Sequence, residues 1–281
     1  MTKIRIAICF FGITRSLTHT IASIEENILA PARELGEVRI FAHFFRQATI
    51  DNPRSSEKGA LRQDEHELLP LDWLQLEEPE ICLEQHGFAA LKAFGDEWGD
   101  DFRSLRNLIH QLHSLQQVTE AAVEWAPDVI VCARPDLRYM DSLKEVIQAA
   151  LKQRHKAIAF IPDWQHAIFG LNDRFAVLTR LAAYSYGRRV TLMQEFCATR
   201  NTPLHSESLV RFALMKGSVK VSYVPTKAAR VRSDGTQIPE RYLGRFYYYT
   251  KRIMYFIFPN KIRKLVNYAA WRKFIRLGLK R

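Results

Sequence analysis

Residues 129–139 read VIVCARPDLRY, an apolar run that ends abruptly in Arg134, Pro135 and Asp136, with Arg138 just beyond. A carboxylate at the exit of a buried strand can hold a divalent metal, and the metal can bridge a diphosphate. Arg134 or Arg138 can instead pair phosphates directly through a forked guanidinium. The plain alternative is a Pro-stiffened turn in which Asp136 plays an Asx or N-cap role. The sharp change from apolar strand to charged exit favours the ligand edge.

Two further stretches carry residue types that suit the same chemistry. In FFGITRSLTHT, residues 10–20, Gly12 permits a tight turn and Arg15 adds a forked donor. The first N–H groups of a following helix would favour an anion. There is no GxGxxG and no Walker lysine, so a simple capped turn with a solvated Arg remains the competing reading. The third pattern is FGLNDRFAVL with HSESLVRFAL, residues 169–178 and 205–214. Asp173 and Glu207 are the first candidates for a general base, with Asp163 and His205 behind them. A base must reach the acceptor hydroxyl. Read separately, Asn172-Asp173 is a helix cap and Glu207 a helix-start residue that suits the dipole. His43, at the end of an apolar run, is read as a structural histidine beside the cleft.

These residues need elements to position them. Ile4–Phe11 is apolar except for Arg5, which suits a strand buried on both faces. Thr14 and Ser16 can cap the helix marked by Leu17, Ile21, Ile24 and Ile28. VRIFAHFF (38–45), DVIVCA (128–133), HKAIAFIP (155–162) and VKVSYVP (219–225) read as strands. Helical patterns cover 105–122, 142–153, 173–196 with a break at Gly187, and 206–217 with Ser206 as cap. Residues 47–67 read as a polar excursion. Strands alternate with helices, so the expected class is α/β with a mainly parallel sheet flanked by helices. Ligands of such sheets bind beyond the carboxyl ends of the strands.

The stretches FFGITRSL, IFAHFF, VIVCARPDLRY, IFGLNDRFAV and HSESLVRFAL, in this order, resemble bacterial GT-A-type glycosyltransferase-like proteins of surface-polysaccharide (capsule and lipopolysaccharide) biosynthesis. The likeness covers roughly residues 3–235. It implies a Rossmann-like, GT-A-like sheet, a nucleotide-sugar donor and a growing, lipid-linked glycan acceptor. Members carry an Asp-x-Asp motif whose carboxylates hold Mn²⁺ or Mg²⁺ on the diphosphate. ARPD stands in the matching place, with Asp136 as the second carboxylate and metal ligand and Arg134 in the first position. One carboxylate makes a poor metal site without help, and an Arg can neutralise a leaving diphosphate unaided. By the same resemblance Gly12, Arg15, Arg134, Asp136, Asn172 and Arg174 border the nucleotide sugar. Asp173 and Glu207 are its catalytic candidates. On this reading, loss of the Asp136 carboxylate should abolish turnover and leave the melting temperature nearly unchanged.

Composition narrows the partners. The 281 residues hold 41 Lys and Arg against 30 Asp and Glu. Residues 241–281 contain 12 of those cations and no acidic residue, so the rest carries 41 − 12 = 29 cations against 30 acids. The excess is confined to a segment that also contains 11 aromatic residues. This pattern suits in-plane association with an anionic membrane surface. A packing helix is the alternative, and nucleic acid is disfavoured because no reading module precedes the segment. The domain reading is therefore 1–240 catalytic and 241–281 a membrane-surface tail. No run is long and apolar enough to span a bilayer. Four scattered cysteines indicate neither zinc nor a disulfide framework, and point to the cytoplasm, here the inner face of the plasma membrane. Two other functions compete: another phosphate-handling transferase such as a sulfotransferase, and a non-catalytic polybasic adaptor.

Overall fold

A computed structural model of the chain describes residues 3–52, 57–244, 247–250 and 253. The strands are β1 (Arg5–Gly12), β2 (Glu37–Phe45), β3 (Thr49–Asn52), β4 (Glu57–Ala60), β5 (Trp73–Glu77), β6 (Val129–Ala133), β7 (Leu137–Tyr139), β8 (Ile158–Pro162), β9 (Ala176–Thr179), β10 (Lys220–Val224) and β11 (Ala228–Arg230). Seven of them form the central sheet in the order β10-β8-β9-β6-β1-β2-β5. All run the same way except β9, which is antiparallel to both β6 and β8. The protein is thus α/β with a mainly parallel sheet flanked by helices, as expected.

Strand β1 shows why its sequence is almost wholly apolar. Ile6, Ile8 and Phe10 point into a core beneath the Leu17–Ile24 and Lys144–Lys152 helices. Ala7, Cys9 and Phe11 point into a second core against the Arg103–Glu124 helix. A central parallel strand is covered on both faces, so alternation of polar and apolar residues disappears. Each fully buried large side chain here contributes about 1.5–3 kcal/mol. All four cysteines are buried free thiols, and Cys9 and Cys132 are register neighbours on β1 and β6.

Several expected boundaries change. Residues 173–196 are not one helical stretch: 176–179 form β9, and the chain is helical only from Arg180. Four residues carry too little periodicity to separate strand from helix. The slot between β6 and β8 decides the matter, because only an extended segment can satisfy both neighbours' backbone groups. The helix does end at Gly187, where an added Cβ would overlap the Thr119 side chain. The first helix runs Leu17–Ile24 and then passes through a π-helical turn, Glu25–Leu29, so that Ile28 and Leu29 are both fully buried. The excursion contains a β3–β4 hairpin and runs into a short turn at Glu65–Leu68, after which comes the edge strand β5.

Most of the basic aromatic tail lies outside the described residues, and with it the membrane-surface reading. Its beginning packs on the body. Tyr242 stands edge-on to Trp164 at 5.0 Å between ring centroids, and Tyr248 stacks on His166 at 3.9 Å. No helix among the described residues is long and apolar enough to cross a membrane.

Candidate active site

With six strands parallel, their carboxyl ends share one edge. The residues that follow β1 and β6, and those that lead into β9, meet there. Gly12 closes β1 at φ +108°, a conformation that favours glycine, and a Cβ at this position would point into open space. Its N–H donates to Ser114 Oγ at 2.8 Å, and that hydroxyl donates to the His43 carbonyl at 2.6 Å.

Asp136 occupies the centre of the edge and is 3% exposed. Arg134 grips it with both prongs, Nε to Oδ1 at 2.9 Å and Nη2 to Oδ2 at 2.7 Å. Arg15 donates to the same Oδ2 at 2.5 Å. Burial alone would push this carboxyl up, but the guanidinium groups of Arg134 and Arg15 hold it well below the usual carboxylate range. The corner itself is pinned on three sides. Thr20 Oγ1 donates to the Pro135 carbonyl, Tyr139 Oη to the Arg134 carbonyl, and Val231 N–H to the Asp136 carbonyl. Strand β7 then pairs with β11.

The expected metal role of Asp136 does not fit these residues. Its oxygens already accept from two guanidinium groups, and a divalent cation placed among them would face like charge at low dielectric. Arg134, the departure from Asp-x-Asp, pairs with the Asp136 carboxylate instead.

The expected anion seat at the first helix start is also filled from within. Leu17 N–H donates to Glu65 Oε2 at 3.0 Å, and Thr18 Oγ1 donates to Glu65 Oε1 at 2.7 Å. Ser16 holds the N-cap position but its hydroxyl is directed to the Val231 carbonyl at 3.0 Å. Arg15, read as a free phosphate donor, is largely buried and pairs with Glu57 at 3.0 Å as well as with Asp136. Glu57 in turn accepts from Arg232 at 3.1 Å and from the Ser233 N–H at 2.9 Å.

The segment leading into β9 lies beside this cluster. Asn172 is fully buried and structural: its amide donates to the Trp164 carbonyl, and its Oδ1 accepts the Arg174 N–H. Asp173 accepts from Ser206 Oγ. Burial opposes its ionisation, but that hydrogen bond and the fields of Arg134, Arg174 and Arg189 hold its carboxyl below the usual value. A carboxylate so stabilised is a weak general base. Arg174 reaches Glu240 at 3.2 Å, and Arg230 meets the same side chain at 2.7 Å. Glu207 accepts the Ala167 N–H, which ties the last long helix to the loop after β8. That helix starts with His205, not Ser206, as its cap. Asp163, directly after β8, is pushed up by burial. Its shift is opposite to those of Asp136 and Asp173.

Sequence reasoning missed Glu57, Glu65, Arg189, Arg230, Arg232 and Glu240. Most arrive from the polar excursion and from the strap after β10, and no local pattern marks them. The arrangement has one conspicuous property. Buried nitrogens of Arg15 (Nε), Arg174 (Nε), Arg189 (Nε and Nη2) and Arg232 (Nε) have no hydrogen-bond partner. Orphaned buried donors are costly, and a cluster of them calls for an acceptor such as water or an anion. A shallow cleft lies over the ends of β1 and β2, lined by Ile13, Thr14, Phe45, Arg46, Arg62 and Gln63 among others.

No family model matches the chain, and no curated protein sequence matches it. Among solved structures it is similar to mouse xyloside xylosyltransferase 1 in its apo form, at 10% identity and a TM-score of 0.42, over 79% of this chain and 85% of that one. It is also similar to the galactosyltransferase LgtC in complex with donor and acceptor sugar analogs, at 12% identity and a TM-score of 0.42, over 78% of this chain and 72% of that one. Likeness at this level is too slight to carry an activity or a substrate across.

Proposed function

We propose that the chain is a glycosyltransferase that moves a sugar from a nucleotide-sugar donor to a glycan acceptor. The observation that carries this reading is the group of buried, acceptor-less guanidinium nitrogens at the carboxyl edge of a parallel sheet. A diphosphate supplies many strong acceptor oxygens and matches guanidinium geometry. On this reading the nucleoside lies over the cleft above β1 and β2, with its phosphates toward Arg15. As the bond from the anomeric carbon to the diphosphate breaks, negative charge grows on the leaving oxygen. On this reading Arg15, Arg134 and Arg174 offset it without a metal at Asp136. Asp136 then acts as a positioning residue that orients two of those arginines. The acceptor hydroxyl must lose a proton as it attacks, and Asp163, with its raised affinity for protons, suits that role better than Asp173.

The finer reading adds a growing, lipid-linked surface glycan as acceptor, at the cytoplasmic face of the inner membrane. The 12 cations and 11 aromatic residues of 241–281 support it. Flotation with vesicles containing anionic lipid tests this part separately: a tail that binds neutral and anionic vesicles alike, or neither, removes it. The central test is thermal shift and saturation-transfer NMR with UDP, GDP, CMP, their sugars and PAPS. A response to one nucleotide family, with sugar release on adding acceptors, is expected. A response to PAPS alone would transfer the reading to sulfate transfer, and no response to any nucleotide would sink it.

A further inference from the structure

A second group of chemistry-bearing residues lies on the opposite side of Ser114 from Gly12. Strands β2 and β5 are parallel, with His43 opposite Gln75 and Phe45 opposite Glu77. His43 and Glu77 therefore project from one face of the sheet. The Arg103–Glu124 helix covers that face and presents His113 to both.

The distances are those of a metal-ligand set. His113 Nε2 lies 2.8 Å from Glu77 Oε2, and His43 Nε2 lies 3.2 Å from the same oxygen. The donor atoms of His43, Glu77 and His113 all fall within 4.8 Å of one another. In a tetrahedral zinc site, bonds of about 2.0–2.2 Å place neighbouring ligand atoms roughly 3.3–3.5 Å apart. The two contacts quoted would have to open by roughly 0.1–0.7 Å to meet that.

Two further observations point to a cation. The His43 ring is fully buried, and apart from the 3.2 Å approach of Nε2 to Glu77 its nitrogens have no hydrogen-bond partner. A buried polar group left without a partner costs about 1–3 kcal/mol, and a metal at Nε2 would give one of the two nitrogens a partner. Two of the three ligands also have outer contacts. His113 Nδ1 lies 2.8 Å from His86 Nε2, and Glu77 Oε1 accepts from Gln75 at 2.7 Å. Ligating histidines and carboxylates characteristically have such partners on their far sides, which fix tautomer and orientation.

We propose that His43, Glu77 and His113 bind one divalent transition metal of the zinc class, with His86 and Gln75 orienting the ligands. Two imidazoles and one carboxylate select this class over magnesium or calcium, which prefer all-oxygen shells. The Glu77 side chain is 31% exposed, which leaves room for a water in the fourth position. The metal joins the edge strand β5 to β2 and to the long helix. Through Ser114, the residue after His113, it also supports the turn at Gly12.

The full chain is treated with chelator, then titrated with Co²⁺ and Zn²⁺. One equivalent of Co²⁺ should give a tetrahedral visible absorption that Zn²⁺ displaces and excess Mg²⁺ does not. His86→Ala, which removes only an orienting partner, should weaken zinc by about 10–100-fold at unchanged stoichiometry. Glu77→Gln removes a ligand at the sheet edge and should abolish the cobalt spectrum, with circular dichroism confirming that the variant is folded. If Glu77→Gln is not folded, His86→Ala decides alone. Absence of stoichiometric binding by the wild type overturns the proposal, as does binding by both variants that equals the wild type. The cluster is then a buried hydrogen-bonded histidine relay.

Discussion

Replacing Asp136 by Asn keeps the side-chain shape and removes one negative charge from between two guanidinium groups. In the wild type its oxygens accept from Arg134 at 2.9 and 2.7 Å and from Arg15 at 2.5 Å. The variant turns one acceptor into an NH₂ donor aimed at an arginine, and leaves two cations short of a counter-charge. Breaking a buried pair in this way costs about 3–5 kcal/mol. Arg134 is partly exposed, with its side chain at 20%, so the lower end applies. A loss of about 3 kcal/mol is a large share of a total of about 5–15 kcal/mol. It corresponds to a fall in melting temperature of about 6–12 °C for a chain of this size. The pH dependence has a definite sign. The folded carboxyl is held well below its unfolded value, so its contribution is complete above the unfolded value of about 3.9 and is lost as pH falls beneath it. The gap between wild type and variant should therefore be constant from about pH 5 to 8 and shrink below about pH 4. Thermal and urea denaturation at pH 7 and pH 3 measure both. A variant that melts within about 1 °C of wild type at pH 7 refutes the keystone role. It would restore the sequence-based view of Asp136 as a ligand-facing group whose loss spares stability.

Four other outcomes test neighbouring parts of the site. Glu57→Gln should release Arg15 and Arg232 for phosphate and tighten nucleoside diphosphate binding by about tenfold, the scale of one charge-assisted hydrogen bond. The same variant should lower the unliganded melting temperature, and calorimetry measures affinity and stability together. Gly12→Ala meets no neighbouring atom, so its cost is backbone strain alone, about 1–3 kcal/mol by urea denaturation. Asp163→Asn removes a carboxyl whose ionisation burial disfavours; it should raise stability slightly at pH 7, leave it unchanged at pH 3, and depress transfer rates. Truncation after Glu240 should destabilise by about 1–3 kcal/mol through loss of the Tyr242 and Tyr248 ring contacts, against no change if the body ended at 240.

The strands β1, β2, β6, β8 and β10 are legible in the amino-acid sequence because each is a compact apolar run or sits between clear breakers. Burial on both faces of a parallel sheet leaves that mark wherever the strand lies. The strand direction then brings Gly12, Arg15, Arg134, Asp136 and the 172–174 segment to one edge, which local sequence also foretells. Strand β9 is not legible, since its four residues suit a helix until β6 and β8 leave an extended slot between them. What the edge residues do is likewise a tertiary decision. Arg134 and Asp136 are two residues apart and could have faced a metal or each other. Arg15 comes from 121 residues away to complete the pair, and Glu57, Glu65, Arg232 and Glu240 close the rest. Local periodicity records which residues are buried. It does not record which opposite charge, from which distant segment, will meet a buried charge, because that choice is made by Coulomb energy at contact distance after the chain has folded.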